Sequence, residues 1–150
     1  MMQGTLLAFD FGERRIGVAI GETSTGIASP LTTITGASSA VRLDAIARLV
    51  AEWQPAAFVV GRPKHADGSE HAVAAAATKF ARRLAGRHRL PVFFVDETLT
   101  SAEAEALLRE TRTRARRPGD VDALAATLIL QSYLDNPNDR GLPPTGPGSK

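Results

Sequence analysis

The sequence predicts an α/β fold: a mixed five-stranded sheet, antiparallel at its start and helix-linked thereafter, with helices on both faces. Three observations lead there. Two apolar runs near the amino end, Thr5-Leu6-Leu7-Ala8-Phe9 and Arg15-Ile16-Gly17-Val18-Ala19-Ile20-Gly21, are joined by the tight turn Gly12-Glu13-Arg14, which marks a hairpin. Two later runs, Ala56-Ala57-Phe58-Val59-Val60 and Pro91-Val92-Phe93-Phe94-Val95, are continuously apolar, as in strands buried on both faces. Segments of helical spacing separate and follow them.

The first strand covers 5–11 and the second 15–21. Glycines in the second strand are weak strand formers and point to close packing or a backbone kink. The third strand, 28–34, belongs at an edge, because Pro30 has no N–H to donate. Ser38 or Ser39 caps a helix through Trp53, with Val41, Ile46, Leu49, Val50 and Trp53 as its apolar face. Pro55 closes the link to strand 56–60. A loop from Gly61 to Gly68 leads into an alanine-rich helix from Ser69 to about Arg87, and strand 91–96 follows. Thr100-Ser101-Ala102-Glu103 is a capping box for a helix ending near Arg112. A basic loop then reaches Gly119, and the last helix runs from about Asp120 to Leu134. One domain over 1–135 is expected, with a Pro/Gly-rich, disordered tail over 136–150.

Composition narrows the chemistry. With 150 residues, 43% of them hydrophobic, the chain can bury a core of its own. It has no cysteine, which removes disulfides and thiolate metal sites, and His65 and His71 lack a zinc-ligand spacing. No basic amino-terminal region precedes a long apolar run, so the expectation is a cytoplasmic protein with no membrane contact. A net charge of +2 says little, but the cations are clustered. Lys79, Arg82, Arg83, Arg87 and Arg89 form one block; Arg109, Arg112, Arg114, Arg116 and Arg117 form another. Arginine forks match phosphate oxygens, so a polyanionic substrate is expected. Aromatic residues are only 5%, which favours reading of shape and backbone over base stacking.

Three acids carry the chemical signal. Asp10 closes the apolar run 5–9, Glu97 directly follows the strand at 91–96, and Asp122 lies in the first turn of the last helix. Each sits on rigid backbone at the exit of a buried strand or the entry of a buried helix. Oxygen ligands converging from three elements suit Mg²⁺ or Mn²⁺, and a pair of such ions suits phosphodiester hydrolysis. Asp96 and Glu97 point to opposite faces, so only one of them serves the site; Glu97 is the choice, and Asp96 is a supporting or solvent-facing residue. Asp120 competes with Asp122 or caps the helix.

These segments resemble the YqgF family of RNase H-like nucleases, relatives of the RuvC Holliday junction resolvases. The matching stretches are Asp10-Phe11-Gly12 with Arg15-Ile16-Gly17-Val18-Ala19, Val60-Gly61-Arg62-Pro63 with Asp67-Gly68-Ser69-Glu70, Asp96 through Ser101, and Asp122-Ala123-Leu124-Ala125-Ala126 with Ile129-Leu130-Gln131. They keep the family's order across nearly the whole chain before the tail. The resemblance implies an RNase H-like fold with Asp10, Glu97 and Asp122 as catalytic acids. It implies two Mg²⁺ or Mn²⁺ ions, bridged by Asp10 and completed by Glu97 and Asp122. It implies processing of the 5′ end of the small-subunit ribosomal RNA precursor. The alternatives are a resolvase of branched DNA, or a module that binds nucleic acid or assembling ribosomes without cutting. Arg15, Arg62, Lys64, Ser69, Arg114, Arg116 and Arg117 are the expected nucleic-acid contacts, on a monomer or weak homodimer. The chain departs from the family at Arg62, where leucine is usual, and at Thr98, where arginine is usual. A lysine often precedes the last acid; here Arg116 and Arg117 precede Pro118-Gly119. Asp-x-Gly after a strand also opens sugar-kinase and actin-like ATPases, but those need two such domains.

Overall fold

The computed structural model describes residues 3–12, 14–63, 69–97, 119–137 and 141–143. β1 (Thr5–Asp10), β2 (Arg15–Glu22) and β3 (Ile27–Thr35) come first, then α1 (Ser39–Trp53), β4 (Ala57–Pro63), α2 (Ser69–His88), β5 (Val92–Glu97), α3 (Gly119–Asp135) and β6 (Gly141–Leu142). The strands form one sheet in the order β3-β2-β1-β4-β5-β6. β1 is antiparallel to β2 and parallel to β4, and β4 is parallel to β5. The expected helix over 101–112, the loop to 118 and most of the tail lie outside the described residues.

The sheet has six strands rather than five. Gly141 and Leu142, in the stretch expected to be a disordered tail, pair antiparallel with Phe93 and Val92. Two residues are too few to show any alternation in sequence. Leu142 packs against the core, and Gly141 adopts φ +159, with a Cβ there lying 1.9 Å from the Val92 carbonyl oxygen. Only glycine fits so close to β5.

Side-chain alternation divides the core in two. Leu7, Phe9, Ile16, Val18, Phe58 and Val60 face α1 and α2, where they meet Ile46, Phe80 and Leu84. Leu6, Ala8, Ala19, Ala57, Val59 and Val95 face α3 and meet Ala126, Ile129, Leu130 and Tyr133. The side under α1 and α2 is bulky and aromatic; the side under α3 is small. This difference lets α3 lie low on the sheet.

Local signals act where expected, with two exceptions. Ser38 caps α1 by accepting from the Val41 amide at 3.2 Å. Pro30 lies in the edge strand β3, beside a register shift that opposes Val18 to Thr32 but Ala19 to Pro30. Leu31 is the extra residue of that bulge, so the ladder is already interrupted where proline cannot donate. The expected apolar face of α1 is only partly used: Val41 is 52% and Trp53 39% exposed, leaving Ile46 as its fully buried anchor. Asp120 falls inside the first turn of α3 rather than before it. No helix among the described residues is long and apolar enough to cross a membrane.

Gln131 fastens α3 to the first hairpins. Its Oε1 accepts from the Ala28 amide at 3.0 Å, and its Nε2 donates to the Gly26 carbonyl and to Asp135 Oδ1, each at 2.9 Å. Truncation would strand a backbone amide and a carbonyl at a part-buried position. Gln131→Ala is expected to cost about 2 kcal/mol, read as a lower urea midpoint with an unchanged slope.

Candidate active site

Asp10 is the last residue of β1, on the α3 side of the sheet, because it continues the alternation of Leu6 and Ala8. Its antiparallel partner on β2 is Gly17. Above Gly17 lies the backbone of Asp122: a Cβ at position 17 would stand 1.9 Å from the Asp122 carbonyl oxygen. The missing side chain of Gly17 is therefore the seat of the amino end of α3. Directly opposed residues of an antiparallel pair hold their side-chain roots about 5 Å apart. Register and close packing together bring Asp122 to Asp10.

The electrostatics follow from this crowding. Burial pushes the Asp10 carboxyl up from 3.8 to about 6, and the neighbouring Asp122 charge pushes it in the same direction. Asp122 keeps 24% of its side chain exposed, yet its Oδ2 is shut from solvent and has no hydrogen-bond partner. Arg15 Nε stands 3.1 Å from that oxygen as a counter-charge without making a hydrogen bond to it. A desolvated carboxyl beside a buried carboxylate oxygen that Arg15 balances without a hydrogen bond leaves room for a cation. Hard oxygen donors of this kind fit Mg²⁺ or Mn²⁺.

Glu97 ends β5 and pairs in register with Pro63 of β4, at the same edge of the sheet as Asp10. Its side chain lies outside the described residues, as do Lys64, Arg114, Arg116, Arg117 and the side chain of Ser69. No group of three metal-ligating side chains occurs among the described residues. Arg15, expected as a nucleic-acid contact, is joined to Asp122 and remains 46% exposed.

Arg62 goes elsewhere. It follows Phe58 and Val60 onto the α2 side of the sheet, across from Asp10. Its guanidinium stacks 3.8 Å from the Phe94 ring centroid, and its Nη2 lies 3.7 Å from Asp96 Oδ1. Asp96 is thus a supporting partner for Arg62. Gly61 makes room for a helix: a Cβ there would stand 2.5 Å from Ile129 Cδ1. Sequence reasoning missed two roles, the Gly17 seat and the Arg15–Asp122 pair. The signal for the first was present in the glycines of β2.

With this geometry in place, comparison with known proteins gives three findings. The chain matches the family described as RuvX, Holliday junction resolvase, over residues 4–136. It is 56% identical over 136 residues to a protein of Dechloromonas aromatica named provisionally as a pre-16S rRNA nuclease, covering 90% of this chain and 93% of that one. A Neisseria gonorrhoeae protein with the same provisional name is 52% identical over 134 residues, covering 89% of each chain. Among solved structures, T. thermophilus RuvC in complex with Holliday junction substrate superposes with a TM-score of 0.58 at 16% identity, covering 93% of this chain and 99% of that one. That likeness establishes the RuvC-type, RNase H-like fold.

Proposed function

The chain belongs to the RuvX family of nucleases, and from that membership we propose that it hydrolyses phosphodiesters of the small-subunit ribosomal RNA precursor with a divalent metal held by Asp10, Glu97 and Asp122. The observation that carries the proposal is the pair Asp10–Asp122, a desolvated carboxyl beside a buried carboxylate oxygen that accepts no hydrogen bond and has only Arg15 as counter-charge. The alternation that puts Phe93 and Val95 on the α3 side of β5 continues at position 97, which supports Glu97 over Asp96 as the third acid.

The residues divide the work. Bound there, Mg²⁺ or Mn²⁺ would neutralise charge at the scissile phosphate and lower the pKa of the attacking water. Asp10 and Asp122 are held on a strand end and a helix start, so their oxygens are placed before substrate arrives. Arg15 balances part of the acid charge and keeps an exposed flank toward solvent, where a phosphate oxygen could share its guanidinium. Asp10 must be ionised to hold a cation, so activity is expected to rise as pH passes about 6.

The test is cleavage of two labelled substrates, a precursor ribosomal RNA 5′ leader and a four-way DNA junction, with Mg²⁺ or Mn²⁺ and with Asp122→Asn as control. The expected result is cutting of the RNA leader, reduced on the order of 10³-fold in the variant. Cutting of the junction alone would replace this reading by a resolvase. Binding of both without cutting of either would make the chain a non-catalytic module.

A further inference from the structure

The basic block of α2 does not act as one unit. Arg87 turns to α1, where its Nη2 meets Asp44 Oδ1 at 2.9 Å. Lys79 and Arg83, one helical turn apart, instead line a cleft of about 250 Å³ between α1 and α2. Arg42 of α1 joins them across the cleft, beside Ser39. The floor is Phe11 and Phe80, with ring centroids 4.9 Å apart. No acid among the described residues lines the cleft. Lys79 and Arg83 make no ion pair among the described residues, and Arg42 uses one guanidinium nitrogen on the Gly36 carbonyl at 2.9 Å.

Three cations gathered on one cleft repel one another, and an apolar floor strengthens their field. Such an arrangement is relieved by an anion. Its position identifies which one. Phe11 directly follows Asp10, and the two point to opposite faces of the sheet edge. The cleft and the acid pair are therefore separated by the thickness of one layer, roughly 10 Å. A substrate strand that passes over the edge covers such a distance in a few nucleotides.

We propose that the Arg42–Lys79–Arg83 cleft holds a backbone phosphate of the substrate strand, a few nucleotides from the bond cut at the acid pair, after the strand has passed over the edge of the sheet at Asp10–Phe11. The inference rests on the nucleic-acid reading above and adds a second contact to it.

The experiment is fluorescence anisotropy of labelled single-stranded RNA with the full chain in chelator, so that cleavage plays no part. The wild type is compared with the triple variant Arg42→Ala/Lys79→Ala/Arg83→Ala and with Arg42→Lys/Arg83→Lys, which keeps the charge. Each phosphate-bound cation adds about 0.7 to the salt slope of single-strand binding, so the slope should fall by about 2 in the alanine variant. That corresponds to an affinity loss on the order of 100-fold at 0.1 M salt, fading near 1 M, with the lysine variant close to wild type. If the wild type binds and the alanine variant matches it in slope and affinity, the cleft is no contact, and the nuclease reading stands without it. A mononucleotide bound as tightly as the long strand would make the cleft a free-nucleotide site and overturn the inference. If the wild type binds neither RNA nor junction DNA, the nucleic-acid reading itself falls, and this inference with it.

Discussion

Asp10→Asn is expected to abolish cleavage and, in the same molecule, to stabilise the metal-free protein. The two effects have one origin. In the folded chain the Asp10 carboxyl titrates near 6, above its ordinary 3.8, because burial and Asp122 disfavour its charge. Between those values the folded state binds more protons than the unfolded one, so stability falls as pH rises through the window. The loss is complete above about pH 6 and amounts to roughly 3 kcal/mol. Asparagine carries no charge, so the variant escapes it. Thermal melts in chelator at pH 8 should place Asp10→Asn roughly 5–10 °C above wild type, and the gap should close near pH 4. Adding Mg²⁺ or Mn²⁺ at pH 8 should raise the wild-type melting temperature and leave the variant nearly unmoved. Cleavage should fall on the order of 10³-fold or more, since the metal's contribution is several kcal/mol. A variant that melts below wild type at pH 8 would show that Asp10 is a structural carboxylate.

Gly17→Ala should be the most damaging substitution outside the acids. The new Cβ would meet the Asp122 carbonyl oxygen at 1.9 Å and its carbon at 2.3 Å, and both are backbone atoms. No rotamer change relieves such a contact; the start of α3 must lift. Overpacking typically costs 1–3 kcal/mol, and this case belongs at about 3 or above. A displacement of about 1 Å at a catalytic group costs on the order of 100-fold in rate. Gly61→Ala is the control, because its Cβ would meet the flexible end of Ile129. It should cost about 1 kcal/mol and leave the rate close to wild type. Urea unfolding and single-turnover cleavage of both variants separate the two cases. Equal rates in Gly17→Ala and wild type would show that Asp122 need not sit over β2.

The sequence carried α1, α2 and α3, the five main strands and the meeting of Asp10 with Asp122, because apolar periodicity and element ends are local properties. Register is not local. Nothing within β1 or β2 alone says that Asp10 stands opposite Gly17, so the glycines of β2 point to close packing without saying what packs there. Arg62 illustrates a second limit. Ala57-Phe58-Val59-Val60 is buried on both faces, so its composition does not reveal which parity faces α3, and the arginine after it could have gone either way. Val41 and Trp53 show a third: a helical apolar stripe states what could be buried, and the width of the sheet decides what is.

The last helix lies against the first hairpin, and the acids it brings together stand 112 positions apart in the chain (122 − 10). During synthesis Asp10 leaves the ribosome long before Asp122 is made; at about 5–20 residues per second the delay is roughly 6–20 s. Throughout that interval the site has only part of its acid set. The Asp10–Asp122 pair, and any chemistry that rests on it, therefore arrives only with the docking of α3.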